Sequence, residues 1–139
     1  MDALDNICFS MSRKVAGMWT KNRYRKSIVD TMENILGKDK LNKPLSQLSP
    51  VELQKVVYCK WLLYAPHIVV CMKPFSAVDV QIRQVTEQMI CLLAERGIAV
   101  LIVTSNISEI GLIEGNSYFI QNGKLLDEKK ARRNIYGAG

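Results

Sequence analysis

The chain has 139 residues, of which 48% are hydrophobic and 23% charged. This composition is typical of a globular domain with its own core and excludes a disordered chain. The net charge of +6 suggests acidic partners, but charge alone is a weak signal and we predict no nucleic-acid binding.

The first third of the chain is predicted to be helical. Residues 1–21 have weak periodicity and allow at most a short helix near residues 4–11. From Arg23 onwards, apolar residues recur at helical spacing until Gly37 provides a stop. A polar connector, residues 38–47, follows.

A second long helix has clear start and stop signals. Ser49 can cap its N-terminus, Pro50 suits its first position, and Glu52 stands where a capping box requires it. Pro66 ends the helical pattern. We therefore predict a helix from Pro50 to about Tyr64.

Two short apolar stretches, residues 68–72 and 98–104, are rich in β-branched side chains and are predicted to be buried strands. Between them Asp79 can cap a helix with one apolar stripe, which Gly97 closes. Strands that alternate with helices favour a parallel sheet with helical crossovers.

The last part of the chain has local turn signals. Asn106 and Glu109 fit a capping box that would start a short helix. The dipeptide Asn122-Gly123 separates residues 118–121 from 124–127 and predicts a β-hairpin.

The four cysteines are Cys8, Cys59, Cys71 and Cys91. Their spacing fits neither a metal site nor a redox pair, and their apolar surroundings indicate free thiols in a reducing cytosol. We recognise neither a signal peptide nor a stretch long enough to span a membrane. A cytoplasmic location is the expectation.

Several motifs, taken in order, resemble those of the ATPase domain of ATP-binding-cassette (ABC) proteins. The signature motif with its helix, the Walker B strand and the D-loop correspond to residues 48–57, 68–73 and 76–79. Residues 93–105 and 122–125 extend a resemblance that covers residues 3–126. It points to the ATP-binding subunits of bacterial ribose, galactose and xylose importers.

The resemblance implies the C-terminal portion of such a domain. The expected fold is α/β: a partial P-loop NTPase core with a short parallel sheet, a C-terminal β-hairpin and an N-terminal helical subdomain. Residues 1–64 would form the helical subdomain and residues 65–139 the C-terminal half of the core. The glycine-rich P-loop and the Q-loop glutamine would lie before residue 1.

The signature motif of the family presents backbone N–H groups of a serine and two glycines to the γ-phosphate. The matching positions here are Leu48, Ser49, Pro50, Val51, Glu52 and Gln54. Pro50 has no N–H to donate, and the branched side chain of Val51 hinders close approach. The resemblance thus implies a degenerate motif that keeps its cap and loses its phosphate contacts.

The Walker B strand of the family ends in Asp and Glu, which serve the Mg²⁺ ion and the attacking water. Met72 and Lys73 occupy these positions. A thioether is a poor Mg²⁺ ligand, and an ammonium group is no base at neutral pH. We therefore expect no catalytic residue, no metal site and no bound cofactor. ATP and Mg²⁺ would be cofactors only of family members whose motifs are intact.

The remaining motif positions are less informative. Ser76, Ala77 and Asp79 match the D-loop, although Asp79 is equally a helix cap. Ser105 stands at the switch position, where many family members have histidine. Trp61, on the signature helix, is expected to pack in the core or, as an alternative, to contact a membrane subunit.

Three functions remain open on the sequence. The first is a non-catalytic partner-binding or regulatory module related to sugar import. Its partner would be an ABC subunit, a permease, the remainder of a longer chain or a second copy. The second is part of an active importer subunit whose P-loop comes from another segment or chain. The third is an unrelated α/β regulatory module that shares the pattern by chance.

Overall fold

A computed structural model describes residues 1–11 and 18–127. The helices are α1 (Ala3–Met11), α2 (Met18–Leu36), α3 (Pro50–Tyr64) and α4 (Val80–Glu95). The strands are β1 (Ile68–Met72), β2 (Ala99–Val103), β3 (Tyr118–Gln121) and β4 (Lys124–Asp127). Contacts divide the chain into two compact units, Met1–Ser105 and Asn106–Gly139. The predicted α/β class is confirmed, whereas the predicted division after residue 64 stays a prediction.

The helical part of the first unit has its own apolar cluster. α2 begins at Met18, earlier than the predicted start at Arg23, and part of the loop-rich entry predicted for residues 1–21 lies outside the described residues. Backbone hydrogen bonds from Ala3 and Leu4 to the connector fix the start of α1. The cluster draws on α1, α2, the connector and α3, and its buried members are Ala3, Leu4, Ile7, Met11, Ile28, Met32, Leu36, Leu41, Leu48, Val56 and Cys59.

The predicted helix from Pro50 is confirmed as α3. It ends at Tyr64, and the next residue, Ala65, has a φ of 47°, the left-handed conformation that commonly terminates a helix. The same helix contributes to the helical cluster through Val56 and Cys59 and packs against α4. α3 therefore joins the helical part of the unit to the part that contains the sheet.

β1 and β2 form a two-stranded parallel sheet within the described residues. Ile68 pairs with Ala99 and Met72 with Val103, and α4 makes the crossover between the strands. Burial alternates along β1, where Val69 is buried while Val70 is exposed. The prediction of buried strands is thus right for one face of the sheet and wrong for the other.

The second unit contains the predicted hairpin. Tyr118 pairs with Asp127 and Gln121 with Lys124 in antiparallel register. Asn122 and Gly123 both have positive φ, as a type I′ turn requires. The predicted short helix near Asn106 is instead a three-residue 3₁₀ turn, Ile107–Glu109. Among the described residues, none of the helices is both long and apolar enough to cross a bilayer.

Candidate functional site

The N-terminus of α3 holds the predicted signature motif, and it is arranged as a closed cap. The Ser49 hydroxyl accepts a hydrogen bond from the Glu52 N–H at 3.2 Å, and the Glu52 carboxylate accepts one from the Ser49 N–H at 2.7 Å. Pro50, at the first helical position, contributes no donor. Two of the donors near this helix end are thus occupied by the cap, and a third is absent.

Glu52 also carries a negative charge at this end of the helix. The hydrogen bond from the Ser49 N–H, followed by that from Lys40, lowers the pKa of the Glu52 carboxyl to about 2. The Lys40 Nζ lies 3.0 Å from the Glu52 Oε1, and this contact raises the pKa of Lys40. The positive end of the α3 dipole is therefore already matched with a carboxylate.

The other signature positions face the interior. Leu48 is buried in the helical cluster and Val51 is half-buried. The Gln54 Nε2 donates a hydrogen bond to the Thr86 Oγ1 at 3.1 Å, and Thr86, on α4, is fully buried. Gln54 thus connects two helices, a role that the sequence analysis missed because its partner is 32 residues away.

The end of β1 holds the predicted Walker B positions. Met72, the last residue of the strand, is 66% exposed, and Lys73 follows it with a φ of 47°. The Lys73 N–H donates to the Val103 carbonyl at 2.7 Å, and its own carbonyl accepts from the Ser76 N–H at 3.2 Å. This turn lies at the carboxyl end of a parallel sheet, where ligands of open α/β folds bind.

The D-loop positions lie between this turn and α4. Ser76 is exposed and Ala77 half-buried, while Phe75 beside them is buried. The Asp79 carboxylate accepts hydrogen bonds from the Gln81 N–H at 2.7 Å and the Ile82 N–H at 3.2 Å. Asp79 is therefore the N-cap of α4, as its alternative interpretation predicted.

Ser105, the predicted switch position, is exposed just after β2. The end of β2 is paired with the end of β1 through the Lys73–Val103 hydrogen bond, so the switch and Walker B positions lie at the same edge of the sheet. Within residues 1–11 and 18–127, no three His, Cys, Asp or Glu side chains gather into a group that could hold a metal ion.

A side-chain hydrogen bond joins α3 to the sheet, and the thiols near it are protected by burial. Burial raises the pKa of the Tyr58 hydroxyl, which is hydrogen-bonded to the Cys71 thiol of β1. Burial also raises the pKa of Cys71 and raises that of Cys59 to about 12. These thiols are therefore poor nucleophiles at neutral pH. Trp61, expected in the core, is half-buried and stacks edge-on against Tyr64.

The relation between the fold and known structures identifies the class of domain. A chain of an ABC transporter in an inward-facing conformation superposes with a TM-score of 0.76 over 99% of this chain and 57% of that one, at 11% identity. A dimeric ATP-binding cassette with bound ADP and Pi superposes with a TM-score of 0.61 over 91% of this chain and 56% of that one, at 22% identity. The fold is that of part of an ABC ATPase domain.

Sequence comparison identifies relatives of the chain within this class of domain. No family model matches the chain. The phosphate import ATP-binding protein PstB of Saccharolobus solfataricus is 28% identical over 127 residues, 88% of this chain and 48% of the relative. The xylose import ATP-binding protein XylG of Geobacillus kaustophilus is 30% identical over 72% of this chain and 21% of the relative. The ribose import ATP-binding protein RbsA of Rhodococcus jostii is 27% identical over 64% of this chain and 18% of the relative.

The chain is therefore a homologue of the ATP-binding subunits of ABC importers, carbohydrate importers among them, and corresponds to the C-terminal portion of their ATPase domain. The resemblance deduced from the motifs is confirmed. The chain spans about half or less of the length of these relatives.

The pH dependence of stability tests the charge at the N-terminus of α3. Because the folded pKa of Glu52 lies below its ordinary value of 4.5, its stabilising contribution is complete above about pH 4.5 and is lost as the pH falls towards 2. We expect Glu52→Gln to be less stable than the unmodified chain at pH 6, and the difference to vanish near pH 2. Urea unfolding at both values measures it.

Glu95→Gln is the matched control, because Glu95 is the last residue of α4, where the helix dipole disfavours a negative charge. Its neutralisation should cost no stability at pH 6. Equal stabilities of Glu52→Gln and the unmodified chain across the whole pH range would contradict the assignment.

Proposed function

We propose that this chain is a degenerate, non-catalytic ABC ATPase-like domain that acts as a partner-binding or regulatory module related to sugar import. The observation that carries the proposal is the cap of α3. In a phosphate site at a helix N-terminus, free N–H groups and the helix dipole attract the anion. Here Pro50 lacks its N–H, Ser49 accepts from the Glu52 N–H, and an ionised Glu52 would repel a phosphate.

The residues at the end of β1 support the same conclusion. Mg²⁺ requires hard oxygen ligands and is usually held by one or two carboxylates with water and phosphate oxygens. Met72 offers a thioether and Lys73 an ammonium group, so these residues do not fit the ion. Losing one group that stabilises a transition state commonly costs about 10²–10³-fold in rate. Several such groups are missing together.

Calorimetric titration with Mg-ATP tests the proposal directly. We expect no heat beyond dilution up to about 1 mM nucleotide, and no sustained phosphate release. Lys73→Ala and Asp79→Ala identify any contaminating ATPase. Phosphate release that comes from a contaminant is the same in both variants as in the unmodified chain. Micromolar binding, or release that either substitution abolishes, would refute the non-catalytic function.

A second candidate function is that of one part of an active importer subunit. The similarity to ribose and xylose import proteins favours it, because those proteins extend well beyond the region that this chain matches. On this hypothesis a P-loop from another segment or chain completes the site. It predicts nucleotide binding and hydrolysis once that segment is added, whereas the first function predicts neither.

The expected partners follow from this relationship. They are protein partners: an ABC subunit, a permease, the remainder of a longer chain or a second copy. No nucleic acid is expected. A cytoplasmic location, at the inner face of the membrane when a permease is bound, accords with the importer relatives.

A further inference from the structure

The tip of the hairpin combines two residues whose chemistry the proposed function does not use. Asn122 and Gly123 connect β3 to β4, and both are exposed. Asn122 is the one asparagine in the sequence that a glycine follows, and glycine has no side chain to shield its backbone nitrogen. A methyl group built on Gly123 would meet no atom within 4 Å outside the adjoining residues. The described part of the chain therefore leaves this dipeptide uncrowded.

We propose that Asn122 is a site of spontaneous deamidation, in which the backbone nitrogen of Gly123 attacks the side-chain amide carbon. The Gly123 N–H first gives its proton to hydroxide. A bond then forms between its nitrogen and the Asn122 Cγ, and the bond from Cγ to Nδ2 breaks. The departing nitrogen takes a proton from water, which restores the hydroxide, and leaves as ammonia. The product is a five-membered cyclic imide in the backbone.

Water opens this imide at either of its two carbonyl carbons. Attack at Cγ gives aspartate, whereas attack at the backbone carbonyl carbon gives isoaspartate, in which the main chain runs through the former side chain. Each event consumes one water and releases one ammonia, and nothing is oxidised or reduced. Either product places a carboxylate on a neutral turn and lowers the net charge of +6 by one unit.

The hairpin controls how fast this reaction begins. Asn122 and Gly123 have φ values of 51° and 73°, as a type I′ turn requires. The five-membered ring needs the Gly123 nitrogen to swing towards the Asn122 Cβ, which the type I′ conformation does not allow, so the turn has to open first. Within the described residues β3 pairs with β4 alone, and a two-stranded hairpin is at best marginally stable by itself. Opening of the turn therefore gives the reaction its access.

The isoaspartyl product changes the hairpin itself. It lengthens the backbone of the turn by one methylene, and the register of a hairpin is set by the type and length of its turn. Gln121 and Lys124, which now face each other across the turn, lose that pairing. The aspartyl product keeps the backbone length and the hairpin. The tip is thus a time-dependent switch of the second unit, whichever of the two candidate functions is correct.

Peptide mapping of the purified full chain, incubated at mildly alkaline pH, tests the modification. Asn106 is the internal control: it is also exposed, but Ile107 follows it, and its Oδ1 accepts hydrogen bonds from the N–H and the hydroxyl of Ser108. We expect Asn122 to react at least about tenfold faster than Asn106, because the β-branched side chain of Ile107 hinders its backbone nitrogen. Equal rates at the two asparagines, or an unaltered Asn122, would overturn the proposal.

Two further measurements examine the route of the reaction. Asn122→Gln should suppress the loss of ammonia at this position, because its longer side chain would have to close a less favoured six-membered ring. Guanidinium chloride, which opens the hairpin, should accelerate the reaction of Asn122 in the unmodified chain. A rate that the denaturant leaves unchanged would contradict the step through the opened turn.

Nuclear magnetic resonance of the aged chain tests the effect on the hairpin. Asn122→Asp is the matched control, because it introduces the same charge without lengthening the backbone. We expect cross-strand contacts of the pairs Tyr118–Asp127 and Gln121–Lys124 in the unmodified chain and in this variant, and their loss in the isoaspartyl fraction. An isoaspartyl fraction that retains both contacts would show that the modification does not switch the hairpin.

Discussion

Replacing Leu93 by alanine is expected to lower the free energy of unfolding by about 2–5 kcal/mol, because it leaves a cavity where a fully buried side chain stood. Leu93 lies in the last turns of α4, and its carbonyl accepts a hydrogen bond from the N–H of buried Ile98 just before β2. A loss of this size is a large part of the about 5–15 kcal/mol that stabilises a typical domain. Urea unfolding followed by circular dichroism measures it.

Leu53→Ala provides the control for this substitution. Leu53 is on α3, has the same chemistry and is 38% exposed, so its truncation should cost well under the cost at Leu93. Equal losses at the two positions would mean that α4 does not bury the face that the structure gives it.

Much of the fold could be predicted because its signals are local. Ser49 and Glu52 are three residues apart, and the capping box that this spacing predicts is present. Asn122-Gly123 predicted a hairpin whose register is confirmed at Gln121 and Lys124. Such features depend on neighbouring residues alone, so composition and spacing are sufficient to identify them.

Features that depend on distant residues could not be predicted. Gln54 looked like a signature residue, yet it donates to Thr86 across two helices. The apolar stretches at β1 and β2 look fully buried, although only alternate residues have a covering layer. The positive φ of Lys73 likewise depends on its bond to Val103.

The candidate site likewise combines features that the sequence could predict with features that it could not. The predicted Walker B and switch positions lie at the same edge of the sheet, and the predicted signature and D-loop positions lie at the starts of α3 and α4. On the proposed function, the groups that the family uses to hold a charged ligand are replaced by the cap of α3 and by Met72 and Lys73. The cap formed by Ser49 and Glu52 is consistent with the function that we propose, in which contacts with a protein partner replace contacts with nucleotide.

A second large effect is expected from Ile7→Ala, again about 2–5 kcal/mol, because Ile7 is fully buried in the helical cluster. α3 belongs both to that cluster and to the packing against α4, so we expect the loss to reach the sheet. The amide of Lys73, bonded to Val103 at the end of the sheet, should then exchange about 30-fold faster or more. Hydrogen exchange measured amide by amide gives this factor.

Phe9→Ala on the same helix is the matched control, since Phe9 is 75% exposed and its loss should change stability by about 0.5 kcal/mol or less.

Residues 1–64 are predicted to form a subdomain. The exchange rate of the Lys73 amide shows whether that subdomain unfolds separately from the sheet. If Ile7→Ala accelerates exchange in α1 and α2 but leaves Lys73 protected, the helical subdomain unfolds alone and α3 does not couple it to the sheet. Equal acceleration in these helices and at Lys73 means that α3 and the edge of the sheet unfold as one cooperative unit. A partner bound at α3 or at the sheet edge would then stabilise the whole unit.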